Sequence, residues 1–215
     1  MREQIDLRVA ELLCSRLCHD LISPIGAVSN GIELLEEEGG RIAVDALELA
    51  GRSGRQAARL LQFFRIAFGL GGSFAGGRSS EVRDLAHGLL AGGRHALDWR
   101  ETGEAADTLP AGFGKLALNM VLLEMDSLPR GGTIAVAVDG QADRVSVVVT
   151  ASGGELRFSE EHRQALGSDT APDALTPRTV QAYFTALLAR RLGSELAVTP
   201  LGEEPVRFTV VAPQP

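Results

Sequence analysis

What most constrains this chain is its first long segment. Residues 3–38 contain one proline, Pro24, and two glycines, Gly26 and Gly31, while apolar residues recur at Ile5, Val9, Leu13, Leu17, Leu21, Ile25, Val28, Ile32 and Leu35. Steps of three and four predict a single long helix. The string EEEGGR at 36–41 supplies an acidic last turn and then paired glycines, a stop followed by a short connection. A second stripe follows at Ile42, Ala46, Leu49, Ser53, Ala57, Leu60, Phe64 and Ala67, before the glycine-rich stretch GLGGSFAGGRSS at 69–80. Two long antiparallel helices are expected. Leu47, Leu61, Phe63 and Phe68 lie beside the main stripe, and a hairpin covers only one side of each helix. A homodimer closing a four-helix bundle would bury them.

Composition narrows the classes of function. The chain has 215 residues, 45% hydrophobic and 23% charged, which is the balance of a folded protein with room for two small domains. Against 28 Asp and Glu stand 21 Lys and Arg, a formal net charge of -7, so no excess positive field gathers phosphate backbones and nucleic acid is excluded as a partner. No apolar run reaches the ~18–20 residues of a membrane helix, and the N-terminus lacks a signal-peptide core. A cytoplasmic protein without membrane association is expected. Cys14 and Cys18, the only cysteines, are read as buried thiols on the apolar edge, and the three histidines besides His19 as surface or capping residues.

After the glycine-rich stretch the pattern becomes α+β. Helices are predicted near 81–91, 112–127 and 177–192, with Pro177 near the start of the last. Extended pieces are predicted at 96–99, 133–140, 144–154, 195–199 and 206–211. Helices should cover one face of a mixed sheet. The chain thus divides into a hairpin domain, 1–72, and an α/β domain, 73–215.

At ~100° per residue, Ser15, His19, Ser23, Gly26 and Asn30 fall within one narrow sector nearly opposite the apolar stripe of the first helix. This polar strip is centred on a histidine. An exposed imidazole with one free nitrogen is a competent nucleophile toward an activated phosphoryl group. Asp20 follows directly and can accept a hydrogen bond from the other ring nitrogen, fixing the tautomer. Pro24 cannot donate an N–H, so the helix is expected to bend or loosen just beyond.

The string His-Asp-Leu-x-x-Pro at 19–24 resembles the phosphoacceptor box of two-component histidine kinases. Residues 116–134, LALNMVLLEMDSLPRGGTI, resemble the helix, turn and strand around the asparagine box of the kinase ATP-binding domain. Aligned on the SLPRGG turn, the magnesium-binding asparagine of that family falls on Leu123, which cannot ligate a hard cation. The aspartate that reads adenine falls on Thr150, and DALTPRTV at 173–180 stands where the phosphate-covering glycines would be. Three altered boxes together point to a domain that kept its fold and gave up nucleotide.

The whole chain resembles the ChpT-type histidine phosphotransferases of alphaproteobacteria, most specifically over 13–38. The resemblance implies a dimeric four-helix bundle followed by a degenerate histidine-kinase-like ATPase α/β sandwich. It also implies a relay of phosphoryl from the receiver domain of a hybrid histidine kinase to His19, then to response-regulator receivers. Asp20 would assist His19, and Ser15, Ser23, Gly26 and Asn30 would form the docking strip. No cofactor or metal of the chain's own is implied, because the receiver supplies magnesium. Two competing readings are an atypical ATP-dependent kinase and a non-catalytic receiver-binding scaffold.

Overall fold

The computed structural model describes residues 6–37, 41–69, 77–104, 106–153, 155–200 and 206–213. Helices α1 (Leu7–Glu37) and α2 (Arg41–Ala67) form the antiparallel hairpin. They approach closely at Gly31, where a Cβ would lie 2.9 Å from the Ala46 carbonyl oxygen and 3.0 Å from the Ala50 Cβ. α1 runs unbroken through Pro24, whose ring is buried, so the proline is absorbed without ending the helix. The run 38–40 and the side chain of Arg41 lie outside the described residues.

The region beyond the hairpin, expected as a second domain, is α+β, as the periodicity predicts. Its sheet has the order β1-β2-β3-β5-β4, built from β1 (His95–Thr102), β2 (Gly132–Gly140), β3 (Arg144–Ser152), β4 (Ala197–Pro200) and β5 (Val206–Pro213). β1 and β2 run parallel and the other pairs antiparallel. Alternate residues of the three central strands point inward, with Ile134, Val136 and Val138 opposite Ala151, Val149 and Val147, and these in turn beside Val210 and Phe208. Helices α3 (Ser79–Leu90), α4 (Phe113–Ser127) and α6 (Val180–Arg191) supply the packed layer against them. Each fully buried aliphatic side chain there contributes about 1.5–3 kcal/mol.

Some boundaries differ from expectation. α3 begins two residues early, because the Ser79 hydroxyl finds Glu101 at 2.9 Å and can be buried. α6 begins at Val180 with Pro177 in the turn before it, since the Thr176 and Thr179 hydroxyls close that turn. The short helix α5 (Glu160–Ala165) and the 3-10 turn Pro172–Ala174 are too brief to carry a hydrophobic period, and the sequence reading passed over both.

Hairpin and second domain share one core. Val9, Leu12 and Leu13 of α1 and Phe63, Phe64, Ile66 and Ala67 of α2 join the buried cluster of α3, α4 and α6. The end of α2 is also held by polar groups. Asn119 Nδ2 donates to the Ala67 carbonyl at 2.8 Å, and Lys115 Nζ to those of Phe68 and Gly69 at 3.4 and 3.0 Å. These are carbonyls that a helix terminus leaves without a partner of its own. Burial and the neighbouring charge of Arg191 lower the Lys115 pKa, and its ammonium sits 5.7 Å from the Phe184 ring centroid. Gln181 Nε2 completes the arrangement by donating to Asn119 Oδ1 at 2.9 Å.

The other side of the hairpin is open. Ile22, Ile25 and Ile32 of α1 are 69%, 50% and 47% exposed, and Val44, Leu47 and Leu61 of α2 are 57%, 63% and 53% exposed. Phe63, expected on such a face, is instead fully buried under the second domain. Cys14 and Cys18, expected to be buried, are exposed. The reason is angular: at ~100° per residue both fall on the same face as Ile22, Ile25 and Ile32, which α2 does not cover.

Candidate functional site

The helical wheel of α1 translates into a continuous outer strip. Ser15, His19, Ser23 and Asn30 are exposed and Gly26 half-exposed, all on the side turned away from α2. His19 stands open, its side chain 87% exposed, and its Nδ1 lies 3.2 Å from Asp20 Oδ1. With the proton on Nδ1 donated to Asp20, the lone pair of Nε2 faces solvent.

Gly26 contrasts with Gly31. Around Gly26 a Cβ would meet no heavy atom of the described residues within 4 Å. The fold of the single chain therefore gives no steric reason for glycine there, although glycine costs a helix interior about 1 kcal/mol relative to alanine.

Beneath the histidine lies an ion-pair arrangement that the sequence reading missed. Arg16 grips Asp126 at the end of α4 with two hydrogen bonds, Nη1 to Oδ2 at 2.7 Å and Nη2 to Oδ1 at 2.9 Å. Its Nε is 3.9 Å from Asp20 Oδ2. Burial works against the charge of this guanidinium, and Asp126, with a smaller contribution from Asp20, more than offsets it, so the Arg16 pKa lies above its ordinary value. The spacing of Arg16 and Asp20, four residues on a helix, was a legible signal. Asp126, 110 positions further along, gave none.

The residues standing in the nucleotide boxes have structural roles. Leu123 is fully buried in the core. Thr150 sits in β3 between Ala135 and Arg207, and residues 173–180 form the 3-10 turn and the turn opening α6. The remaining histidines serve as the sequence suggests: His95 Nε2 lies 2.9 Å from the Leu128 carbonyl, and His162 Nδ1 2.7 Å from the Ser159 hydroxyl.

One buried acid stands apart. Glu124 on α4 is completely enclosed, and burial raises its pKa to about 8 against the smaller, opposing hydrogen bonds of Ser127 and the Ala151 backbone. Its Oε1 has no hydrogen-bond partner among the described residues. Its charged form is therefore disfavoured in the folded chain.

Similarity to known proteins places the chain, a helical hairpin seated on an α+β region, among the protein phosphotransferases. A family model described as the histidine phosphotransferase C-terminal domain matches residues 79–204. The protein phosphotransferase ChpT of Brucella abortus (strain 2308) is 38% identical over 201 residues, 92% of this chain and 93% of its own length. A bacterial phosphotransferase solved at 1.7 Å shares 34% identity and a TM-score of 0.81, covering 97% of this chain and 98% of the other. The chain belongs to the histidine phosphotransferase family. Histidine kinase ThkA, crystallised with the response regulator protein TrrA, shares the fold alone, at 15% identity and a TM-score of 0.50 over 94% of this chain and 61% of that one.

Proposed function

We propose that this phosphotransferase relays phosphoryl groups between receiver-domain aspartates through His19, and that it does so without ATP. The observation that carries the reading is the open imidazole with its Nδ1 turned to Asp20. Nε2 attacks the phosphorus of a receiver's acyl phosphate, the P–O bond breaks, and its electron pair leaves with the receiver aspartate. The ring becomes positive on phosphorylation, and Asp20 at Nδ1 offsets that charge. The second receiver's aspartate reverses the step. Magnesium is brought by the receiver, so the chain supplies position more than chemistry. The first donor is the receiver of a hybrid histidine kinase and the acceptors are response regulators, in the cytoplasm. Among the described residues no helix is long and apolar enough to cross a membrane.

Residues 1–72 carry the transfer and dimerisation functions in this reading, and 73–215 a kinase-derived domain whose nucleotide residues have been replaced. The test is transfer of label from a phosphorylated receiver, with ATP alone as control. Acid-labile label that appears only with the donor supports the relay. Label from ATP alone would make the protein a kinase, and no label from a panel of donors would make it a scaffold.

The open apolar face of the hairpin supports a homodimer. Two such faces, each presenting Ile22, Ile25, Leu47 and Leu61, would close a four-helix bundle and cover Cys14 and Cys18. A Leu47→Glu, Ile25→Asp chain is expected to sediment as a monomer at micromolar concentration where the unmodified chain sediments as a dimer. Equal sedimentation of both would remove the dimer.

Ser15, Ser23, Gly26 and Asn30 form the docking strip. Gly26→Ala is expected to stabilise the chain by up to about 1 kcal/mol in chemical denaturation, because the site has room and alanine favours the helix. The same variant should bind a receiver less tightly, since the added methyl projects into the docking surface. Unchanged receiver affinity by calorimetry would take Gly26 out of the interface.

A further inference from the structure

We infer that Arg16 is a positioning residue for His19, and that the second domain reaches the histidine through it. This rests on His19 being the phosphoacceptor and adds the parts that hold the ring. Four side chains form a line across the two domains. Asp126 of α4 binds Arg16 in a two-pronged pair, Arg16 Nε lies 3.9 Å from Asp20 Oδ2, and Asp20 Oδ1 lies 3.2 Å from His19 Nδ1.

Exposure differs along the line, lowest at Arg16 and highest at His19. The side chain of Arg16 is 14% exposed, those of Asp126 and Asp20 are 31% and 33%, and that of His19 is 87%. Arg16 inside the line is therefore sheltered and the reactive end open. A lone surface carboxylate beside an exposed imidazole has water as a competing partner, and such pairs are weak. Arg16 changes this for Asp20 because its own position is fixed at the other end. The planar fork seats both oxygens of Asp126, which leaves Nε to face Asp20. Held on its Oδ2 side, the Asp20 carboxylate presents Oδ1 to the ring. The proton is then kept on Nδ1, and Nε2 is left with its lone pair toward an incoming phosphoryl group.

This role predicts a spectroscopic signature that a simple strut between domains would not give. In the full-length chain labelled with 15N, at about pH 8, above the ordinary histidine range, the long-range proton–nitrogen correlations of His19 report which nitrogen carries the proton. The unmodified chain is expected to show mainly the Nδ1–H tautomer. Arg16→Gln and Asp126→Asn should each move the population toward Nε2–H, and Arg16→Lys, which keeps the charge but loses the fork, should fall between. Phosphoryl transfer by the Gln variant should slow by on the order of fivefold.

An unchanged His19 tautomer in a folded Arg16→Gln chain overturns the inference, even if transfer slows. If that chain does not fold, Asp126→Asn decides on the same spectrum, because it keeps Arg16 and removes only its anchor. Failure of the relay reading would look different: no receiver labels the unmodified chain, while the tautomer still follows Arg16.

Discussion

A His19→Gln chain offered a phosphorylated receiver domain is expected to take up no acid-labile phosphate, a loss of at least about 10³-fold, because removing the nucleophile removes the covalent step itself. Folding should be almost untouched. The His19 side chain is 87% exposed, and among the described residues its one side-chain partner is the neighbouring Asp20. Substitutions at such positions stay within about ±0.5 kcal/mol, so an unchanged melting temperature must accompany the lost label. Asp20→Asn should lose less, since Nε2 is still present while its tautomer is no longer enforced. Label persisting on His19→Gln would move the phosphoacceptor elsewhere. The three histidines His87, His95 and His162 would then be examined, and two of them already hold hydrogen bonds inside the second domain.

The second large effect concerns stability. Glu124 has a pKa of about 8 in the folded chain because burial penalises its charge, whereas an unfolded glutamate ionises near its ordinary value of 4.5. Between those two values the unfolded chain binds fewer protons than the folded one, so stability falls as pH rises from about 4.5 to about 8 and levels off above. At pH 7 the penalty is on the order of 3 kcal/mol. Glu124→Gln removes the titration while keeping the shape of the side chain, and its amide can donate to the Ser127 hydroxyl 2.9 Å away. In urea unfolding the variant should match the unmodified chain near pH 4.5 and exceed it increasingly toward pH 8. Parallel stability curves would mean that Glu124 is ionised in the folded state.

Much of this was legible in the sequence because helical periodicity is local. The hairpin, the polar strip of Ser15, His19, Ser23, Gly26 and Asn30, and the extended segments of the second domain all follow from spacing alone. What escaped was decided by distance in sequence or by covering. Arg16 found Asp126 only because the fold brings the end of α4 beside α1, and no pattern near either residue announces it. Cys14 and Cys18 occupy apolar positions on the wheel, yet apolarity does not say which neighbour covers a face, and α2 covers a different one. Phe63 erred in the opposite direction, reading as surplus on the hairpin and lying wholly beneath the second domain.

The polar grip on the end of α2 has a consequence for how the chain can be cut or recombined. The carbonyls of Ala67, Phe68 and Gly69 receive their hydrogen bonds from Asn119 and Lys115, side chains of another domain. The helix stop is thus encoded some fifty residues downstream of where it acts. A hairpin severed at the glycine-rich stretch would lose those donors and uncover Phe63 and Val9 together. Exchange of the hairpin between relatives as a cassette therefore has to carry the matching surface of α4 with it, Asp126 included, or the graft arrives with its end unsealed.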